Sequence, residues 1–228
     1  MATLTCISSM ATRRILAELE QAYEAASGVP VALTVTGGVE AAQRIAQGEA
    51  FDVAVLASDA LSGLVASGHV VAGSTQPVAD SETALAVAAG APLPAIGTRE
   101  QLVEALLRAR SIGYSTGPSG RTLLSLLAQW KVLPELEARL VQARVGSPVG
   151  DLIAQGAVEM GFQQHSELLH CQGITIVGSL PPGAEITTVF TAGVCASARG
   201  VAEAARFIAF LCSAQAEPVL RREGMAPA

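Results

Sequence analysis

Hydroxyl, glycine and arginine residues recur where an apolar run of this chain gives way to a helix-forming one. Four segments have that make-up: Cys6-Ile-Ser-Ser-Met-Ala-Thr12, Thr36-Gly-Gly-Val39, Ser115-Thr-Gly-Pro-Ser-Gly-Arg121 and Gly146-Ser-Pro-Val-Gly150. The first turn of a helix leaves about four backbone N–H groups without intrahelical partners and carries roughly half a positive charge. Several such starts aimed at one point bind an oxyanion or a carboxylate. On this reading the candidate ligand contacts are Ser8, Ser9, Thr12, Gly37, Gly38, Val39, Ser119, Gly120 and Val149. The alternatives are plain capping for the serines, a simple turn for Gly37 and Gly38, and packing for Val149.

Arginines narrow the class of anion. Arg13 and Arg14 fall in the first turn of the first predicted helix, and Arg121 in the first turn of the helix predicted from Ser119. A cation there opposes the helix dipole at a cost of about 0.3 to 1 kcal/mol. At roughly 100° per residue, Arg13 and Arg121 lie opposite the apolar stripes of their helices. Either these are ordinary solvated arginines, or an anion sits between the guanidinium groups and the helix starts. Guanidinium forks pair bidentately with carboxylates, so two or more at one site point to a di- or tricarboxylate. His165 and Glu167 follow the amide pair Gln163-Gln164 and could supply a general base or acid, surface hydrogen bonding being the alternative.

Other chemistry is excluded by spacing. Gly117-Pro-Ser-Gly-Arg-Thr122 lacks the spacing and the lysine of a nucleotide phosphate loop, and no Gly-x-Ser-x-Gly nucleophile elbow is present. The four cysteines, Cys6, Cys171, Cys195 and Cys212, are far apart and read as small buried thiols. Neither they nor the three histidines have metal-ligand spacing, so no metal and no cofactor is expected. A net charge of -6 without basic clusters argues against nucleic acid or an anionic membrane as partner. No apolar stretch reaches the roughly 18 residues of a membrane span, and no basic, apolar leader opens the chain. As it stands the sequence reads as cytoplasmic, and as periplasmic if a leader has been removed.

The elements that must position these residues alternate. In the first 80 residues the pattern predicts strands at Leu4–Ile7, Val29–Val35 and Phe51–Leu56 and helices at Thr12–Ser27, Val39–Gln47 and Ser58–Ser67. Gly73–Asp80 reads as turn-rich. A second unit repeats the order: strand Ala84–Ala88, helix Arg99–Ala109, strand Ser111–Tyr114, helix Ser119–Trp130, strand Leu140–Val145, helix Val149–Gln155 and strand Met160–Gln163. Later strands are expected at Ile174–Gly178 and Thr187–Ala196, then a long helix from Val201 to Arg222, broken or kinked near Pro218. Such alternation implies an α/β fold with mainly parallel sheets. At 228 residues, half of them apolar, the chain is long enough for one large domain or two lobes.

From end to end the chain resembles the periplasmic molybdate-binding proteins and their relatives among the type 2 periplasmic binding proteins. The resemblance lies in Ile7-Ser-Ser-Met10 followed by a helix, in the segment Gly48-Glu-Ala-Phe-Asp-Val-Ala-Val-Leu-Ala-Ser-Asp59, and in the closing run from Arg206 to Met225. It implies two lobes, 1–80 plus 188–228 and 81–187, each a mainly parallel sheet flanked by helices, with an anion in the cleft between them and hinge closure over it. Carried over, the contacts fall on Ser8 or Ser9, on Gly37-Gly38-Val39, near Ser119-Gly120, near Val149 and on Gln164. Where the family usually offers a hydroxyl and a tyrosine, this chain has Gly38 or Val39 and the amides of Gln163 and Gln164. That change suits an organic acid better than a tetrahedral oxyanion.

Two functions follow from the resemblance. The first is a substrate-binding protein for a small anion, a di- or tricarboxylate before a molybdate-type oxyanion, with an importer as partner only if the protein is exported. The alternative is a carboxylate isomerase of the aconitate-isomerase-like kind within the same family. It would need arginines and helix starts to pin the carboxylates, a base to take an allylic proton and an acid to return it.

Overall fold

The computed structural model describes residues 3–144 and 146–228. In chain order the elements are β1 (Leu4–Ser9), a 3-10 turn (Met10–Thr12), α1 (Arg13–Ser27), β2 (Val31–Thr36), α2 (Gly38–Ala46), β3 (Val53–Ala57), α3 (Ser58–Ala66) and β4 (Gln76–Ala88). There follow α4 (Arg99–Arg108), β5 (Ile112–Tyr114), α5 (Pro118–Gln129), α6 (Leu133–Leu136), a 3-10 turn (Glu137–Arg139), β6 (Leu140–Gln142), α7 (Val149–Ala154) and β7 (Met160–Gln164). Last come α8 (His165–Leu168), β8 (Ile174–Ser179), β9 (Thr187–Val194), α9 (Val201–Leu211), α10 (Glu217–Arg222) and β10 (Ala226–Pro227). The chain divides into two compact units, residues 1–80 with 189–228 and residues 81–188. It passes from one to the other within β4 and again within β9.

In the first unit β1 pairs parallel with β2 and with β3, and β3 pairs antiparallel with β9. Alternate residues of each strand feed opposite faces of the sheet. Leu4, Cys6, Val53 and Val55 join Ile15, Leu16, Leu19 and Phe207 from α1 and α9 in one core. Ile7, Ala54 and Leu56 join Ala41, Ile45 and Leu61 from α2 and α3 in another. Because helices cover both faces, β3 is buried along its whole length and reads as an unbroken apolar run. Each fully buried Leu or Ile contributes roughly 1.5 to 3 kcal/mol of transfer free energy.

The second unit repeats the plan with β5 parallel to both β6 and β7, while β4 runs antiparallel to β7 and β8. Leu85, Ile112 and Phe162 pack against Leu102, Leu106, Leu123 and Leu127 of α4 and α5. Ala84 and Ala86, on the other face, pack with Val149, Ile153 and Leu168 of α7 and α8. Gly161 and Gly113 let α7 approach closely: a Cβ on them would lie 2.4 and 2.9 Å from Val149 Cγ1. Among the described residues no helix is long and apolar enough to cross a membrane, and no three His, Cys, Asp or Glu side chains gather as a metal site.

Several sequence expectations are corrected. Ser8 and Ser9 belong to β1, not to a loop, because Ser9 pairs in register with Thr36, and the helix proper starts at Arg13 after the 3-10 turn. The supposed turn Gly73–Asp80 is strand from Gln76 on, since Ala79 and Asp80 pair with Pro227 and Ala226 at the far end of the chain. The helix expected over Val201–Arg222 is two helices, broken at Cys212–Ala216, and Pro218 lies in the first turn of the second, where its missing N–H costs nothing. Cys212, at that break, is exposed, whereas Cys6 and Cys195 are buried, and none of the four cysteines is in a disulfide. The strand expected over Leu140–Val145 is seen as Leu140–Gln142, and Val145 lies outside the described residues.

Candidate functional site

The three parallel strands of the first unit all end at one sheet edge, and a helical segment begins directly after each. That is the edge at which open α/β sheets bind ligands. Ser9 and Thr36 are register partners on adjacent strands, and a Cβ on Gly38 would lie 3.5 Å from Ser9 Cβ. Ser8, Ser9 and Thr12 are buried. The Ser9 and Thr12 hydroxyls are 3.5 Å apart, Thr12 Oγ1 donates to Ser9 O at 3.1 Å, and Ser8 Oγ donates to Ser9 O at 3.4 Å. The structure thus brings Ser9, Thr12 and Gly38 together, with Gly37 next to Gly38 and Ser8 on the other face of β1, while Val39, on α2, is exposed. Arg13 and Arg14 are exposed at the first two positions of α1, and among the described residues neither forms an ion pair.

In the second unit β5 ends at Tyr114, and the Ser115–Gly117 loop leads into α5. Ser115 Oγ and the buried Ser119 Oγ lie 2.9 Å apart. Gly120 is required for lack of room: a Cβ there would come within 1.9 Å of Ser115 O. Arg121 is exposed in the first turn. Val149 is fully buried at the start of α7, and its N–H donates to Gln163 Oε1 at 2.7 Å. Gln163 Nε2 in turn donates to Glu167 Oε1 at 2.9 Å, which fixes the amide orientation at both ends. The next residue points to the opposite sheet face: Gln164 Nε2 donates to Thr188 Oγ1 at 2.6 Å. Adjacent strand residues cannot share one pocket, so the two amides are separate features. His165, half-buried, opens α8 one turn or less from Glu167.

Gln163 therefore ties α7 and α8 to β7. Gln163→Leu is expected to cost about 2 kcal/mol by stranding the buried Val149 N–H, read as a lower urea midpoint at unchanged slope.

First-turn charge separates the helix starts more sharply than hydroxyl content does. Glu40 stands in the first turn of α2, where it accepts from Thr36 Oγ1 at 2.5 Å; Asp59 stands in that of α3, Glu100 in α4, Asp151 in α7 and Glu203 in α9. These carboxylates already use the positive end of their helices. Among the described helices of eight residues or more, only α1 and α5 have no acid in the first turn and no side-chain cap. They are also the two whose first turns carry Arg13, Arg14 and Arg121. One lies in each unit. Ser115 and Thr188 were not singled out from the sequence; the repeated hydroxyls of Ser115-Thr-Gly-Pro-Ser119 were the available signal for the first, and only the fold shows the second.

The family model described as bacterial extracellular solute-binding protein matches residues 4–226. Aconitate isomerase from a Pseudomonas species is 33% identical over 233 residues, taking in 99% of this chain and 88% of that protein. Among solved structures, the periplasmic molybdate-binding protein of Azotobacter vinelandii superposes with a TM-score of 0.81 at 20% identity, covering 99% of each chain. The sulfate-binding protein of Mycobacterium tuberculosis gives 0.83 at 18% identity over 100% of this chain and 88% of that one. At these identities the structural matches establish the two-lobe periplasmic-binding-protein fold.

Proposed function

We propose, because this chain belongs to the bacterial extracellular solute-binding protein family, that it binds a small di- or tricarboxylate, and that the candidate contact in each unit is the helix start that carries arginine in place of an acid. The observation that carries the reading is the charge pattern of the first turns: α1 and α5 alone among the longer described helices lack an acid. An arginine at such a position is unfavourable by itself and favourable once an anion lies beside it. The buried hydroxyls of Ser9 and Ser119 add neutral donors. The family's description is extracellular, and the reading extends to a periplasmic location with an importer as partner.

The test is a calorimetric titration of the protein with tricarballylate, aconitate, sulfate and molybdate. Carboxylates are expected to bind and Arg14→Ala to weaken them about tenfold, the effect of one charge-assisted hydrogen bond. Binding of molybdate or sulfate alone, or unchanged affinity in Arg14→Ala, overturns the reading.

A second reading is favoured by the 33% identity to aconitate isomerase over nearly the whole chain. Here the ligand is an unsaturated tricarboxylate. A base removes an allylic proton, the double bond shifts, and an acid returns a proton to the far carbon. Glu167, held by Gln163, and His165 are the candidate acid and base. Proton NMR of cis- and trans-aconitate with the protein in deuterated buffer tests this; deuterium in the allylic position supports catalysis, and unchanged spectra leave binding alone.

A further inference from the structure

We propose that Ser81, Thr83, Gln164 and Thr188 form a pocket that recognises a hydroxyl group on the bound acid, so that the protein selects hydroxy-polycarboxylates over the same acids without the hydroxyl. The inference rests on the carboxylate reading above and deepens it. All four residues lie in the second unit.

Buried polar atoms in folded proteins are almost always hydrogen-bonded, and each exception calls for an explanation. Among the described residues five buried side-chain atoms have no partner, and three of them are Ser81 Oγ, Thr83 Oγ1 and Gln164 Oε1. These three lie on one face of the sheet. Thr83 and Gln164 are direct cross-strand partners on β4 and β7, so their side chains share a face, and Ser81, two residues before Thr83, shares it too. Thr188 completes the group through its hydrogen bond from Gln164 Nε2, and the Thr83 N–H donates to Ile186 O at 2.8 Å to fix the adjoining segment. Ser81 is 0%, Thr83 1%, Gln164 3% and Thr188 7% exposed.

The chemistry of the set defines its occupant. Its unpaired atoms are an amide oxygen that only accepts and two hydroxyls that donate or accept, and none of its four residues is an arginine, a lysine or a carboxylate. A carboxylate would satisfy the hydroxyls but would meet the amide oxygen with like partial charge. A ligand hydroxyl donates to Gln164 Oε1 and accepts from Thr83 or Ser81, satisfying both kinds of atom. Position supports the link to the α5 start. Tyr114 pairs with Phe162, so Gln164 is level with the Ser115–Gly117 loop one strand away, and Thr83 is one strand further. At roughly 5 Å per strand, the hydroxyl pocket and the α5 start are separated by the length of a small acid. Aconitate has no hydroxyl and would leave the Gln164 acceptor unpaired, so this pocket favours the binding reading over the isomerase one.

Citrate and tricarballylate share three carboxylates and differ by one hydroxyl, and malate and succinate differ in the same way. In calorimetric titration the hydroxy member of each pair is expected to bind at least about tenfold tighter, a modest value for a site built around a hydroxyl. Thr83→Val keeps the side chain's shape and removes an unpaired hydroxyl. It is expected to bring each pair within about threefold without lowering the melting temperature of the ligand-free protein, and Ser81→Ala to act in the same direction. Equal binding of the paired acids by the unaltered protein, or selectivity unchanged in both variants, would show that the cluster holds only water and overturn the inference alone. Absence of binding by all four acids would overturn the carboxylate reading together with it.

Discussion

Gly120→Ala is expected to abolish tight anion binding and to destabilise the second unit by about 3 kcal/mol or more, the scale of a core clash that backbone must relieve. The new methyl would lie 1.9 Å from the Ser115 carbonyl oxygen and 2.9 Å from its carbon, and both are backbone. No rotamer change relieves such a contact; α5 must move away from the loop that positions Ser115 and Ser119. Gly63→Ala in α3 is the matching control. That residue is likewise helical but, unlike the buried Gly120, exposed, and a Cβ there meets nothing within 4 Å. Relieved of glycine's backbone entropy, this variant should gain about 0.5 to 1 kcal/mol. Urea denaturation of the two variants would therefore show shifts of opposite sign. A Gly120→Ala protein as stable as the original would mean that the loop is soft and cannot hold a preorganised cradle.

Asp52→Asn is expected to remove about 2 to 3 kcal/mol from the first unit and to flatten its acid sensitivity. Asp52 is 6% exposed, yet it is the hub joining β1, β3 and the approach to α9. Its Oδ2 accepts from the Thr5 N–H and the Thr5 hydroxyl at 2.8 Å each, and its Oδ1 accepts from the Arg199 N–H at 2.8 Å. Burial alone would push its pKa up, but hydrogen bonds from Thr5, Arg199 and Gly200 outweigh that and hold it below the ordinary aspartate value. The unfolded chain therefore takes up this proton before the native state does. The stabilisation is complete above the ordinary aspartate pKa, near 3.9, and is lost as pH falls through the lowered native value. With asparagine in this place the NH2 end of the amide must face donors, so stability is lower near neutrality and its decline in acid is shallower. Urea midpoints measured between about pH 2 and pH 6 would test both parts. Parallel acid limbs for the two proteins would contradict the assignment.

Alternation of apolar and helix-forming runs was enough to identify the α/β fold, because strands covered on both faces are continuous apolar runs such as Val53–Ala57. Boundaries that depend on distant partners were not legible. Nothing local marks Gln76–Asp80 as strand; Ala226 and Pro227, at the other end of the chain, make it so. Four-residue helices such as α6 and α8 are too short to show a period. In the candidate site, residue type located the hydroxyl and arginine clusters but not their availability. Val149 has the right place for a backbone contact, and the fold commits its N–H to Gln163. Ser81 and Thr83 fell outside the predicted strand, which began at Ala84, and their unpaired hydroxyls had no sequence signal, since an unpaired buried atom is a property of its neighbours.

The course of the chain through β4 and β9 also sets an order of events during synthesis. The second unit is one continuous stretch, Ser81–Thr188, whereas the first needs both the opening 80 residues and the segment from Val189 on. Until β9 emerges, β3 has no partner on its outer edge and the α1 core lacks Phe207, Ile208 and Leu211. The unit begun first is thus completed last. A growing chain carries an unfinished sheet edge through most of its translation, the stage at which strand edges invite wrong partners.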